Sequence, residues 1–434
     1  MRSAYLVALA LFAPITAEPA VAATLQGPDL PKATPESVGM SSERLERLDR
    51  AIQRYIDDDL IAGTVALVAR RGKVVHLSAL GDRYEEIGDP METGDVFYIQ
   101  SMTKSIVSTA LMMLFEEGHF LLDDPISKYL PGFEDKMVVR RTEQGVVREP
   151  TERPITFRHV LTHTSGVDPA RDLLTDAELE LLRPRATIEE TIMARAPLPL
   201  AFHPGDEWQY GSSTDYVALL VEKISGQPLD RFLQERIFGP LGMVDTGYNV
   251  AASEKDRIAA VYDPSGPAMS VELRLAPGGR EPTTLFRGVA GLFSTAADYF
   301  RFAQMILNGG ELDGVRILSP ATVNLMISNQ VGDKLVGAGR NTPGYGFGLS
   351  FSMVTDVSTA REALTPGSFG WWGVWNTSYW VDPTEELVMI LMMQLTSYRH
   401  IEIRREFPGL VMQAITESYH SGPGAIRAYS AVPR

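Results

Sequence analysis

Ser101-Met102-Thr103-Lys104 is the stretch on which the reading of this 434-residue chain turns. A serine and a lysine three positions apart fall on one face of a helix, close enough to share a proton. A serine hydroxyl is a weak nucleophile until a neighbouring base takes its proton, and a neutral lysine amine can be that base. The spacing alone decides little. Only eight lysines occur, and Lys104 alone has a serine three places before it. With serine at roughly 7% of positions, about half such a match arises by accident. A serine and lysine on a solvated helix start is the competing reading, and the flanking residues must choose.

They favour chemistry. Val96-Phe97-Tyr98-Ile99 is a strand-like run of β-branched and aromatic residues. Ile106, Ala110, Met113 and Leu114 then follow at helical spacing, with Gly118 as a C-terminal stop. Ser101 is therefore expected in the first turn of a buried helix, where backbone N–H groups are unpaired and the dipole is positive. Its own N–H could there stabilise an oxyanion. A solvated helix would not be so apolar.

The bulk composition narrows the class. The length suits one large or two medium domains with a substantial core. A formal charge of −15 argues against nucleic acid and anionic membrane surfaces as partners. No cysteine occurs, which excludes disulfides, a thiol nucleophile and thiolate metal sites. The seven histidines show no metal-binding spacing, so no metal and no other cofactor is expected. Met1-Arg2, the apolar run Ala4 to Phe12 and Ala20-Val21-Ala22 read as an export signal over residues 1–22, an uncleaved anchor being the alternative. The mature chain, 23–434, is expected to be exported to the periplasm or beyond, with no integral membrane segment.

Along the chain, Ser42 is the expected cap of a first helix, and Arg71-Gly72-Lys73 the turn of a hairpin. Residues 156–240 are mainly helical in pattern. Helices are expected to start at Thr295 and at Ser319-Pro320, and a last one near Pro408. Strands are expected at 345–353, 371–381 and 386–394. This order predicts an α+β fold: an antiparallel sheet lobe from residues 36–98 and 287–425, with a helical lobe, 99–286, inserted between.

A lysine base works best with a proton relay and a second oxyanion donor. Tyr210-Gly211-Ser212 lies on a loop before a helix, and a phenolate is favoured beside a cation, so Tyr210 is the candidate relay. Phe369-Gly370-Trp371-Trp372-Gly373-Val374-Trp375-Asn376 holds three of the five tryptophans. By itself this run reads as an aromatic core strand or as a strand lining a site.

Ser101-x-x-Lys104, Tyr210-x-Ser212 and Trp371-x-Gly373, in this order, resemble the three sequence elements of the serine β-lactamase and penicillin-binding superfamily. Class C β-lactamases and family VIII carboxylesterases are the nearest branches. The segments Leu161-Thr162-His163-Thr164-Ser165-Gly166, Phe238-Gly239-Pro240-Leu241-Gly242-Met243 and Gly288-Val289-Ala290-Gly291-Leu292-Phe293-Ser294-Thr295 agree. The resemblance spans roughly residues 36–420. It implies a site in the cleft between two lobes, with Ser101 as acylated nucleophile, Lys104 as base and Tyr210 as relay. It further implies an oxyanion hole from the N–H groups of Ser101 and Val374, and Ser212, Trp371, Trp372 and Gly373 at the substrate.

Departures from that pattern bear on substrate. The superfamily's third element usually reads Lys-Thr-Gly, which helps bind a substrate carboxylate. Here Trp371 and Trp372 stand at the first two positions, and neither supplies a cation. Losing a charge-assisted contact costs on the order of 1.5–3 kcal/mol for a carboxylate substrate. Ser212 replaces an asparagine usual in class C enzymes. Both changes resemble the esterase branch, so a small, neutral short-chain or aryl ester is the expected substrate. A β-lactamase or D-alanyl-D-alanine carboxypeptidase is the alternative, and a non-catalytic ligand-binding envelope protein of the same fold is a third. His163 is expected to stabilise a loop, and Asp123-Asp124 to serve a turn. The acyl pocket is expected to depend on how residues 168–210 and 268–286 fold over the cleft, with 174–200 as a candidate lid.

Overall fold

The computed structural model describes residues 29–266, 270–278, 281–337, 342–396 and 401–418. The expected export signal, residues 1–22, lies outside them. An eight-stranded antiparallel sheet organises the chain. Its spatial order is Tyr345–Phe347, Ser352–Val354, Phe369–Trp372, Ser378–Asp382, Leu387–Met392, Gly63–Arg70, Lys73–Tyr84 and Asp89–Pro90. The seam between Leu387–Met392 and Gly63–Arg70 joins strands from the two ends of the chain.

Side-chain alternation puts each strand to work on both faces. Val65, Leu67 and Ala69 join Val388, Ile390 and Met392 in a core shared with the helices Thr103–Glu116, Ser213–Ser225 and Ala296–Leu307. Ala66 and Val68 join Leu387, Met389 and Leu391 in a second core, against Ser42–Asp57 and Ile403–Met412. Every residue of Leu387–Met392 is buried, as a strand covered on both sides requires. Burying one such side chain fully stabilises the fold by about 1.5–3 kcal/mol. Arg70, itself fully buried, ties the ends together: it pairs with Glu385 and donates to the carbonyls of Val38, Gly39 and Glu417. Among the described residues no helix is long and apolar enough to cross a membrane.

The fold matches the expected α+β arrangement, with local corrections. The first helix is capped by Ser41, whose hydroxyl accepts from Arg44 N–H, rather than by Ser42. The hairpin turn uses Arg71 and Gly72, both at positive φ, and its second strand runs on to Tyr84. The expected strands 345–353 and 371–381 are each broken. Ser350, at φ 70°, turns the first between two short strands, and a turn at residues 373–377 divides the second. The last helix starts at Ile403, so Pro408 lies inside it.

Candidate active site

Ser101 sits in the short 3-10 turn Gln100–Met102, which leads straight into Thr103–Glu116. Its N–H is one of the donors at a helix start that the helix's own ladder cannot use. The strand Phe97–Tyr98 pairs with Phe293–Ser294, and Ile99 N–H reaches the Leu292 carbonyl at 3.1 Å, fixing the approach to this turn. Gln100, just before the serine, has φ 47°, a strained value for a residue with a side chain. Thr377 holds the segment by donating to the Ile99 carbonyl at 3.2 Å.

Lys104 lies one turn along the helix and is 3% exposed. Its Nζ donates to Ser101 Oγ at 3.1 Å and to the Val289 carbonyl at 2.9 Å. Among the described residues no carboxylate pairs with it. Val289 is itself fixed, because its N–H donates to Asp215 Oδ1 at 3.1 Å while Arg287 pairs with Asp215 Oδ2 at 2.6 Å. A Cβ on Gly288 would fall 1.9 Å from the Thr214 carbonyl oxygen. That contact gives the Gly288-Val289-Ala290-Gly291 segment a physical reason: only glycine lets it approach the helix start and present the carbonyl that Lys104 uses.

Tyr210 completes the cluster. Lys104 Nζ is 4.7 Å from the centre of its ring, and the phenol bonds to Lys104, Ser101 and Trp371. Burial pushes the phenol pKa up. The Lys104 cation and these three hydrogen bonds outweigh it, so the net value lies below the usual 10.0. Serine hydroxyl, amine and a phenol held towards its phenolate form thus meet at one point, the arrangement a nucleophile needs to lose its proton.

The loop bearing Tyr210 rests on residues 162–168. Gln209 N–H donates to His163 O at 2.9 Å, Gly205 N–H to Thr164 O at 2.7 Å, and Ala201 N–H to Gly166 O at 2.7 Å. His163, buried at φ 59°, packs its ring 4.9 Å from that of Tyr210. Its place is in this support, where the sequence put it. Ser212, expected at the substrate, faces Asp168. Its hydroxyl donates to Asp168 Oδ1 and accepts from Arg195, and it is not among the residues lining the cavity at Ser101.

Trp371 closes the site from the strand Phe369–Trp372. Its Nε1–H donates to Tyr210 Oη at 3.2 Å. The residue standing where a lysine is usual therefore hydrogen-bonds Tyr210 as well as forming a wall, a contact its aromatic character did not reveal. Trp372 stacks on Trp371 at 4.4 Å and carries the Arg404 guanidinium 4.8 Å above its ring. A cation absent from the third element thus arrives at the same wall from the last helix. Val374 lies in the turn after the strand, not within it. That turn is closed by Gly373 N–H on Thr377 O and Asn376 N–H on Gly373 O, bonds that do not use the Val374 N–H. A Cβ on Gly373 would lie 2.8 Å from the Ile99 carbonyl, so glycine lets this turn come against the segment carrying Ser101.

A cavity of about 510 Å³ opens at Ser101. Its walls include Trp208, Tyr210, Phe347, Trp371, Trp372 and Trp380, four of the five tryptophans among them. Arg361, Glu362, Arg404 and Arg405 also line it. Of the segments expected to shape it, 168–210 contributes Trp208 and Tyr210, but residues 174–200 line none of it. Residues 281–292 instead border a separate 420 Å³ cavity beside Gln100.

Comparison with known proteins bears on the family and the fold. The Beta-lactamase family model matches residues 48–406. Esterase EstB of Burkholderia gladioli is 29% identical over 80% of this chain and 89% of its own. Lovastatin esterase of Penicillium rubens is 31% identical over 72% and 80%, respectively. Among solved structures, EstCE1, a hydrolase with promiscuous acyltransferase activity, superposes with a TM-score of 0.71 at 25% identity, covering 86% of this chain and 99% of that one. Simvastatin synthase (LovD) of Aspergillus terreus shares the fold with a TM-score of 0.74 at 22% identity, over 88% and 100%. With a match across most of its length and esterases among its relatives, the chain belongs to the β-lactamase family of serine hydrolases.

Proposed function

We propose that the protein is a carboxylesterase for neutral short-chain or aryl esters, acting through an acyl-enzyme on Ser101. The observation that carries this is the cluster of Ser101, Lys104 and Tyr210 at the mouth of an aromatic cavity. Ser101 Oγ attacks the ester carbonyl carbon and its proton passes to the Lys104–Tyr210 pair. The carbonyl oxygen, now negative, faces the N–H groups of Ser101 and Val374. Collapse expels the alcohol, which takes the proton from Tyr210 Oη. Water then attacks the acyl carbon, Tyr210 accepts its proton, and the acid leaves as Ser101 recovers its hydrogen.

The aromatic walls suit a neutral acyl or aryl group. The esterase names of two relatives support the same class. A second reading, β-lactam or D-alanyl-D-alanine hydrolysis, draws on one observation: Arg404 on Trp372 could meet a substrate carboxylate. Rates on a p-nitrophenyl short-chain ester and on a chromogenic cephalosporin separate the two. The ester should dominate kcat/KM; dominant cephalosporin turnover would reverse the assignment.

A further inference from the structure

Asp168 is a carboxylate that neither the Ser-x-x-Lys chemistry nor the cavity uses. It ends the 162–168 support, and both its oxygens are spent on one residue. Oδ2 accepts the Ser212 N–H at 2.7 Å and Oδ1 accepts the Ser212 hydroxyl at 2.5 Å. Between Ser212 and the phenol stands Gly211, where a Cβ would fall 2.1 Å from Asp168 Oδ2. The carboxylate therefore presses against the backbone immediately after Tyr210, and only glycine leaves room for it. Arg195, 7% exposed, reaches the same Ser212 hydroxyl at 3.2 Å and backs the contact from the helix Ile188–Ala194. Ser212 is also the N-cap of Ser213–Ser225, yet its side chain caps nothing in that helix. Its hydroxyl is committed to Asp168 instead.

We propose that Asp168 is a positioning residue for the proton relay, clamping the Tyr210-Gly211-Ser212 backbone so that the phenol meets Ser101 and Lys104. This rests on the proposed role of Tyr210. A half-buried side chain reached through a two-residue backbone link needs that link fixed. An error of about 1 Å in the placement of a reacting group can cost on the order of 100-fold in rate.

The charged and titratable groups around the phenol set the sign of a direct test. Lys104 and Ser101 face it from the start of Thr103–Glu116 and the turn before it, Trp371 from the strand Phe369–Trp372 and His163 from the supporting loop. Arg195 and Tyr216 stand beside Asp168. Removing the negative charge of Asp168 would by itself favour the phenolate. Loosening the loop would weaken the Lys104 and Trp371 contacts and disfavour it. The two effects oppose.

The test is the tyrosinate absorbance of Tyr210, read as the difference between each protein and its Tyr210→Phe counterpart, together with kcat and KM on a p-nitrophenyl short-chain ester. Asp168→Ala should shift the Tyr210 titration towards alkaline pH and lower kcat about 10- to 100-fold, with KM within twofold. Asp168→Asn keeps one acceptor for the Ser212 N–H and a donor for its hydroxyl. It should restore most of kcat and leave the titration at or below the wild-type pH. Gly211→Ala should impair kcat in the wild type but add nothing on top of Asp168→Ala, because the clashing oxygen is gone. A Tyr210 titration that stays put or moves to acid pH in Asp168→Ala, or additive losses in the double variant, would overturn the inference. Should Asp168→Ala fail to fold, Asp168→Asn and Gly211→Ala decide: an inactive Asn variant with an unshifted titration, or a fully active Gly211→Ala, equally overturns it. Wild type without ester turnover would contradict the esterase reading instead, and the titration would still judge Asp168.

Discussion

Ser78, His76 and Asp49 bring a hydroxyl, an imidazole and a carboxylate together, much as Ser101, Lys104 and Tyr210 bring a hydroxyl, an amine and a phenol. His76 Nε2 lies 3.0 Å from Asp49 Oδ1 and 3.2 Å from Ser78 Oγ, and Ser78 Oγ donates to Asp49 Oδ1 at 2.8 Å. The residue types are those of a hydrolytic triad, but the order is wrong. The three polar atoms form a closed triangle instead of a relay with the carboxylate behind the base, so the hydroxyl proton goes to the acid and one imidazole nitrogen contacts both. Ser78 is also in mid-strand, opposite Ala66, without the free N–H groups of a helix start. Ser101 has its amine on Oγ, a phenol behind both, a helix start beneath it and a cavity in front. Placement, not residue type, separates the two clusters.

Exchanging each serine for alanine separates the two clusters by the largest margin. Ser101→Ala should lower ester turnover by on the order of 10⁴-fold or more, while Ser78→Ala leaves kcat/KM unchanged. A large loss in Ser78→Ala would put the reaction at the wrong cluster. Next in size is the relay: Tyr210→Phe should cost about 10²- to 10⁴-fold in kcat, measured with the same ester at saturating concentration. Gly288→Ala places a methyl against the Thr214 carbonyl and displaces the Val289 carbonyl from Lys104. A loss of about 1–3 kcal/mol of stability in denaturant melts, with a fall in kcat, is expected. If the variant is both stable and fully active, Val289 does not hold the base.

Trp371→Phe is a finer probe. It keeps the aromatic wall and removes the Nε1–H bond to Tyr210, worth about 1 kcal/mol, or about fivefold in rate. Because that bond favours the phenolate, its loss raises the Tyr210 pKa. The ascending limb of the pH–rate profile should move to alkaline pH, whereas an unmoved limb would detach Trp371 from the relay. The smallest effect belongs to the decoy. Burial raises the Asp49 pKa, but the His76 and Ser78 contacts outweigh it and hold the pKa below its usual 3.8. A depressed carboxylate contributes stability above its unfolded value and loses it as pH falls through the folded one. Asp49→Asn should therefore flatten the acid limb of stability below about pH 4 and leave turnover untouched.

How much of this was legible depended on the distance over which the information acts. Ser101 and Lys104 are three residues apart, and helix geometry alone brings them together. The turn at Arg71-Gly72 and the helix starts at Thr295 and Ser319 were equally local, each set by a cap or a glycine. Tyr210 came from its motif and its loop position, and its surroundings were not visible. The Trp371 bond to Tyr210 spans 161 residues and the Asp168 bond to Ser212 spans 44. Neither leaves a periodic trace. Arg404 escaped notice for a related reason: Pro408 suggested a helix start, but the helix begins at Ile403 and so aims a guanidinium at Trp372. The glycines carried the sequence's own trace of these long-range contacts. Gly211, Gly288 and Gly373 each mark a place where another segment comes too close for a Cβ, and each such segment bears on the site.

If Ser101 alone is the activated hydroxyl, peptide mass spectrometry after exposure to a fluorophosphonate probe will single it out. A single adduct should map to Ser101 in the wild type and in Ser78→Ala, and vanish in Ser101→Ala. An adduct on any other residue, or none on folded wild-type protein, would contradict it.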